Sequence, residues 1–323
     1  MNEYLLSTLL GIVEGLTEFL PVSSTAHLRI CEKLLQPFVS GLSLDSGYWK
    51  MYSIVIQLGA ILVLPIYFRK HIAKLISTFP AGEKKDCTVL THPLSLVMIA
   101  FVVTAIPSFL LTKVIGKNLE SLYVMGVALL AGGIVMWIID AMKAPWEKAG
   151  PGTPGLNNQV STNQVSTIQA STIPTSPIHT WRMDDIHGGQ AIWIGACQIL
   201  SAVFPGTSRS MSTIAGGQLV GMSRAAALEF SFFLSIPTMT VATLYTLLKS
   251  LTGKDENPIG VHEITPHQWI VLAIGFVVSF IVAYGAVAWF MGYVRRRGFA
   301  PFAMYRIVIG IAVLAWAAGL LGR

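Results

Sequence analysis

Apolar residues in this chain gather into long runs with at most one charge, separated by short polar segments. Crossing the hydrocarbon core of a bilayer takes about 20 mainly apolar residues. Five or six runs approach that length: Met51 to Phe68, Leu94 to Thr112, Leu122 to Ile139, Phe230 to Leu248, Trp269 to Met291 and Ala303 to Leu321. Trp269, Trp289, Trp316, Trp137 and Tyr67 fall near their ends, where interfacial aromatics belong. Pro107 and Pro237 lie inside two runs, where a kink is tolerated if neighbours re-satisfy the backbone.

Two further apolar stretches do not behave as spans. Tyr4 to Pro21 carries Glu14 and Glu18, and Ala191 to Phe204 is short and ends at Pro205-Gly206. Both read as re-entrant halves. The first also lacks the positive leader and small-residue cleavage site of a signal peptide, so it is expected to stay in the mature protein. With two hairpins returning to their own side, Arg69 to His92, Asp140 to Gly189 and Gly292 to Phe302 share one face. That face holds Arg69, Lys70, Lys74, Lys84, Lys85, Lys143, Lys148, Arg182, Arg295, Arg296 and Arg297, against Lys113, Lys117, Lys249 and Lys254 opposite. The richer side is expected to be cytoplasmic and both termini outside.

Composition agrees. Of 323 residues, 53% are hydrophobic and 12% charged, against roughly 25% charged in a soluble domain. The mean hydropathy of +0.64 is spread along the whole chain, so lipid is the solvent for most of it. The net charge of +6 sits in short clusters between apolar runs and is an orientation signal, which argues against nucleic acid. Cys31, Cys87 and Cys197 fit neither a disulfide framework nor metal-ligand spacing.

The chain also resembles itself. Gly11 to Ser24 aligns without gaps on Gly195 to Ser208: Gly, Leu, Pro and Ser are identical, and Glu14/Gln198, Thr17/Ser201 and Ser23/Thr207 match in kind. One copy enters from outside and the other from the cytoplasm, which makes an inverted repeat whose broken helices meet near the midplane. The expected fold is all-α and polytopic: about six transmembrane helices plus two re-entrant helical hairpins in an inverted-topology repeat, over about 1–140 and about 187–323. Between Pro145 and Trp181 the composition turns to Ser, Thr, Asn, Gln, Pro and Gly, with Asn-Gln-Val-Ser-Thr at Asn158 to Thr162 and again at Asn163 to Thr167. This tract reads as a disordered cytoplasmic insertion without chemistry.

Glu14 and Glu18 are four apart, which puts them on one helix face. Each carboxylate at membrane depth costs roughly 2.5 to 3.5 kcal/mol on insertion scales, so the pair needs a shared proton, a divalent cation or a buried arginine. After them come Pro21-Val-Ser23-Ser24-Thr25-Ala-His27. Hydroxyls there are N-cap candidates, and Ser24, His27 and a carboxylate are also the parts of an activated nucleophile. The second copy, Pro205-Gly206-Thr207-Ser208-Arg209-Ser210, combines a tight turn, hydroxyls and a guanidinium ahead of a helix through Thr213. Free helix-start amides and a forked arginine make a phosphate cradle, and Arg209 pairing with Glu14 or Glu18 is compatible with it. Glu229 opens a span, as a structural partner or a functional group. Arg29, Glu32 and Lys33 read as a solvated helix face, and His71, His92, His179, His187, His262 and His267 as structural.

Glu14-Gly-Leu-Thr-Glu18-Phe-Leu-Pro-Val-Ser-Ser-Thr-Ala-His27 and Pro205-Gly-Thr-Ser-Arg-Ser-Met-Ser-Thr213 resemble the two signature motifs of the undecaprenyl-diphosphate phosphatase family, also known as bacitracin resistance proteins. Gln57-Leu-Gly-Ala and Glu229-Phe-Ser-Phe resemble further family segments, and the likeness covers nearly the whole chain outside the insertion. It departs at Ala26 and Met211, where the family often has Gly.

The resemblance implies a multi-pass hydrolase of the bacterial inner membrane that removes the terminal phosphate of a polyprenyl diphosphate lipid, regenerating the carrier for peptidoglycan and other cell-wall polymers. It implies a divalent cation, Mg or Ca, and Glu14 and Glu18 would bind it or manage protons. Glu14, Glu18, Ser24, His27 and Arg209 would then be catalytic, with Ser23, Thr25, Gly206, Thr207, Ser208, Arg209, Ser210 and Thr213 on the phosphates. The partners are the lipid substrate and the bilayer, with a homodimer left open. The rival reading is a lipid-phosphate flippase, because inverted repeats with re-entrant helices are transporter architecture.

Overall fold

The computed structural model describes residues 1–39, 47–80, 88–111, 121–149, 178–251 and 264–320. The described chain is helical, with one isolated bridge between Thr180 and Met222. In chain order the helices are α1 (Glu3–Thr17), α2 (Ser24–Leu35), α3 (Gly47–Ile61), α4 (Val63–Tyr67), α5 (Arg69–Thr78), α6 (Pro93–Leu110) and α7 (Leu122–Ala149). Then follow α8 (Gly188–Val203), α9 (Arg209–Leu219), α10 (Arg224–Leu251), α11 (Pro266–Arg297) and α12 (Ala300–Ala317). Among the described residues, six segments are long and apolar enough to cross a membrane: Gly47–Tyr67, Pro93–Leu110, Leu122–Glu147, Arg224–Leu248, Pro266–Arg297 and Ala300–Ala317. Pro107 and Pro237 stay inside continuous helices, as expected.

Local chemistry explains several boundaries. Thr265 and Gln268 form a reciprocal capping box with Pro266 in the first turn of α11. Its last turn carries Arg295, Arg296 and Arg297, cations that suit the negative end of the helix dipole, and Gly298 at φ +73° stops it. Asp140 on α7 then starts α12: one carboxylate oxygen accepts the backbone N–H of Phe299 and Ala300, while the other accepts Arg224 Nε at 2.7 Å.

The remaining apolar helices are short. With 15 and 16 residues, α1 and α8 reach about 22 to 24 Å at 1.5 Å per residue, below the roughly 30 Å of a hydrocarbon core. Each leads through a turn into another short helix, α2 or α9, and each packs on a span from the opposite half of the chain: α1 on α11, and α8 on α6. The matched glycines explain the closeness. A Cβ on Gly11 would lie 2.8 Å from the Gly275 carbonyl oxygen, and one on Gly195 would lie 2.5 Å from that of Ala100. The most extensive helix contact, α7 with α12, also joins the two halves.

Some boundaries differ from expectation. Of the tract expected to lack structure, 145–149 continue α7, and 178–181 pair with the 221–223 turn through His179 N to Gly221 O and Ser223 N to Thr180 O, each 2.8 Å. Polar composition hid these contacts, and 150–177, Cys87, His262, Lys84, Lys85, Lys113, Lys117 and Lys254 lie outside the described residues. Glu32 is not on a solvated face either: it is buried, accepting from Arg29 at 3.1 Å and Ser53 at 3.2 Å.

Candidate active site

Two turns meet inside the bundle. In the first, α1 ends at Thr17 and α2 starts at Ser24; in the second, α8 ends at Val203 and α9 starts at Arg209. Each helix is entered through a serine at positive φ, Ser23 at +75° and Ser208 at +69°. This conformation is uncommon for a non-glycine residue and tends to persist where the surroundings over-determine it. The structural equivalence therefore pairs Ser23 with Ser208 and Ser24 with Arg209, one residue off the ungapped alignment. Gly206, at φ +94°, lies so near α7 that a Cβ would sit 2.8 Å from the Met125 carbonyl oxygen.

Glu18 is the junction of the site. One of its carboxylate oxygens accepts Arg209 Nη2 at 3.0 Å, and the other accepts the Ser24 hydroxyl at 2.6 Å. The arginine comes from the second turn and the serine from the first, so this carboxylate ties the two copies of the repeat together. Arg209 keeps a second buried nitrogen, Nη1, without a partner. Glu14, one turn back on α1, is fully buried; no N–H or hydroxyl of the described residues reaches its carboxylate oxygens, and the Glu18 carboxyl and the Arg209 guanidinium lie beside it. Buried polar atoms are nearly always satisfied, so the unused Glu14 oxygens and Arg209 Nη1 are the groups this site has ready for something else.

The other expected residues divide. Ser208 accepts the Met211 N–H at 3.3 Å and lies 3.1 Å from Ser210, whose hydroxyl donates to the Leu20 carbonyl across the two turns. Ser23 lends its carbonyl to His27 Nδ1 at 2.7 Å, and the Thr207 hydroxyl bonds back to Phe204. Thr25 is exposed. Thr213 is buried, bonding its own helix and the Ser231 hydroxyl at 2.7 Å, so it joins α9 to α10. Ser24 and His27 do not form the serine–histidine pair that their spacing allows: Ser24 bonds Glu18, and His27 Nε2 meets the Tyr305 hydroxyl at 2.7 Å. Ala26 is buried in a small cluster with Leu129 and Val313, and Met211 in the main core, so neither departure removes a polar group.

Sequence reasoning missed Arg306. It is fully buried on α12, and its two terminal nitrogens donate to the carbonyls of Pro21 (3.0 Å), Ala128 (3.1 Å), Gly206 (3.1 Å) and Thr207 (2.9 Å). One guanidinium thus holds the floor of both turns. Gly132 on α7 makes room for it. A lone arginine inside an apolar run was the available signal, since intramembrane charges are rarely idle.

His71 and Glu229 form a separate cluster. His71 Nδ1 lies 3.0 Å from Glu229 and Nε2 lies 3.1 Å from Asp184, which links α5, α10 and the segment before α8. Hydrogen bonds to Asp184 and Glu229 raise the His71 pKa to about 9, and the same contact lowers that of Asp184. Glu229 therefore pairs with His71 here.

These features define a multi-pass membrane protein whose buried site sets a carboxylate-bonded serine and a forked arginine between two repeated turns. The chain belongs to the family described as Bacitracin resistance protein BacA, whose pattern matches residues 7–312. It is 62% identical over 319 residues to the undecaprenyl-diphosphatase of Koribacter versatilis (strain Ellin345), covering 98% of this chain and 99% of that protein. An undecaprenyl-diphosphatase of Caldanaerobacter subterraneus subsp. tengcongensis is 36% identical over 307 residues, 95% of this chain and 93% of the relative. Undecaprenyl-diphosphatase 2 of Paramagnetospirillum magneticum is likewise 36% identical over 307 residues, 94% of each chain.

Proposed function

We infer that this chain is a membrane-embedded phosphatase that hydrolyses undecaprenyl diphosphate to undecaprenyl phosphate and inorganic phosphate, recycling the lipid carrier for cell-wall polymers and conferring bacitracin resistance. The family membership and its 62% identical relative support the reaction. The observation that carries the chemistry is the chain from Arg209 through Glu18 to Ser24, closed by 3.0 and 2.6 Å bonds beside the unpartnered Glu14.

Arg209 grips the terminal phosphate with the nitrogen Glu18 leaves free, helped by the amides that open α2 and α9. Of the candidate nucleophiles, Ser24 is the one whose proton already points at a base. Its Oγ attacks the terminal phosphorus while Glu18 takes the hydroxyl proton. The bond to the bridging oxygen breaks, and that proton passes to the departing lipid phosphate. Water then attacks the phosphoserine, giving Glu18 a proton that returns to Ser24 as inorganic phosphate leaves. For phosphoryl transfer, positioning and charge stabilisation are the main contributions of a protein.

A divalent cation, Mg or Ca, fits Glu14, whose two buried oxygens are hard donors without hydrogen bonds. Among the described residues no group of three or more His, Cys, Asp or Glu is arranged to hold a metal ion, so substrate oxygens and water would complete the shell, as magnesium usually prefers. When bound, the ion neutralises charge on the diphosphate.

The exposed Arg69, Lys70, Arg182, Arg295, Arg296 and Arg297 support a cytoplasmic position for that end of the bundle in the inner membrane. Both termini then lie outside, and α1–α2 and α8–α9 are re-entrant pairs of an inverted repeat. Phosphate release from solubilised undecaprenyl diphosphate, compared with Ser24→Ala and Glu18→Gln, tests the reading. A flippase would move the lipid and release none.

A further inference from the structure

Both ring nitrogens of His27 are engaged. A backbone carbonyl only accepts, so the Nδ1 facing Ser23 O at 2.7 Å carries the proton. In the neutral ring Nε2 is then an acceptor, and the Tyr305 O–H 2.7 Å away is its donor. The two rings lie nearly parallel, 12° apart with centroids 5.5 Å apart, so the phenol meets the imidazole edge to edge and its hydroxyl makes the contact. Tyr305 precedes Arg306 on α12. Consecutive helical residues point about 100° apart, so one turn of α12 sends a guanidinium beneath the two turns and a phenol against the histidine of the first. Tyr305 itself is 43% exposed, unlike the buried groups around Glu18.

We propose that Tyr305 is a positioning residue for His27 in the phosphatase reaction, an inference that rests on the function inferred above. It holds the imidazole as the Nδ1–H tautomer with its basic nitrogen aimed at a hydroxyl that can change role. While Nε2 is unprotonated, the tyrosine donates to it. When Nε2 takes up a proton from phosphate or water, the same oxygen turns and accepts that N–H, so the ring keeps its place through the change of charge. This separates the work of the two residues of the first motif: Ser24 exchanges its proton with Glu18, while His27 handles a proton at the edge of the site under the control of α12.

The test uses full-length protein in detergent with the variants Tyr305→Phe and Tyr305→Ala. Three readouts are taken: phosphate release from undecaprenyl diphosphate, thermal unfolding, and the ¹⁵N signals of His27 assigned with His27→Gln. Tyr305→Phe keeps the ring but removes the hydroxyl, so kcat should fall by roughly ten- to a hundredfold, the scale on which misplacing a group near the chemistry acts, with KM within about twofold. The His27 signals should move from one fixed tautomer to an exchanging mixture. Tyr305→Ala should lower kcat further, since the edge of the ring that bounds the imidazole goes too. Parent-like kcat together with an unchanged Nδ1–H tautomer in Tyr305→Phe would overturn the proposal, as would an equal loss in kcat and unfolding temperature with the tautomer unmoved. If the parent released no phosphate, the functional reading would fall by itself. The nitrogen signals would still show whether Tyr305 sets the tautomer, and an unchanged tautomer would overturn the contact as well.

Discussion

Replacing Gly132 by alanine adds one methyl group on α7 beside Arg306, and the structure sets a sign for its effect. Gly132 lies in the middle of α7, where exchanging Gly for Ala alone favours a helix by about 0.8 to 1.0 kcal/mol. Here the new Cβ would overlap a terminal nitrogen of Arg306 and lie 2.7 Å from the Met211 methyl. Methionine can give way, but Arg306 is tied to four carbonyls. Hydrogen bonds to a charged group contribute about 1.5 to 3 kcal/mol each, and overpacking a filled site costs about 1 to 3 kcal/mol. Displacing the guanidinium from even one or two carbonyls outweighs the propensity gain, so net destabilisation of about 1 to 4 kcal/mol is expected. Arg306 fixes Pro21, Gly206 and Thr207 together, so a shift of about 1 Å between the turns should lower turnover on the order of a hundredfold. Gly285→Ala is the control: it adds the same methyl to an exposed helical position with nothing within 4 Å. The assay is thermal unfolding in detergent alongside phosphate release for both variants. If Gly132→Ala matched Gly285→Ala in stability and turnover, the role given to Arg306 would be wrong.

Further outcomes follow from the same geometry. Arg209→Lys should cut turnover by about a hundredfold or more, because a point charge cannot hold Glu18 and a phosphate at once as a fork does; near-parent kcat would refute the grip. Glu14→Gln should shift the metal dependence of phosphate release, and an identical Mg or Ca titration would remove Glu14 from the cation site. The raised His71 pKa implies stability that is fully present below about pH 6.5 and fades as the pH climbs through about 9, on the order of 1 to 3 kcal/mol after screening. His71→Gln should flatten that part of the unfolding profile, and a profile as steep as the parent's would place the titration elsewhere. In a background without native cysteines, Arg296→Cys should be protected from impermeant reagent in intact cells and His267→Cys labelled, because these exposed positions lie at opposite ends of α11; the reverse would invert the topology.

The spans were legible in the sequence because lipid imposes its rule locally: a segment must stay apolar for the full thickness of the core, whatever it packs against. The same economy of polar groups made Glu14, Glu18 and Arg209 conspicuous, and the repeated glycines and prolines pointed to two matched turns. Who bonds whom was a different matter. Ser24 and His27 are three residues apart, yet their side chains go to Glu18 and Tyr305, the latter 278 residues away in the chain. Glu32 looked solvated until α3 covered it, and Arg306 went unnoticed because Pro21, Gly206 and Thr207 come together around it only in the fold. The one-residue slip between the repeats also appears only where the backbone turns, at Ser23 and Ser208. Periodicity and composition report on the solvent that each segment meets. Hydrogen-bond partners depend on which helices touch, and in this molecule the decisive contacts join one half of the chain to the other.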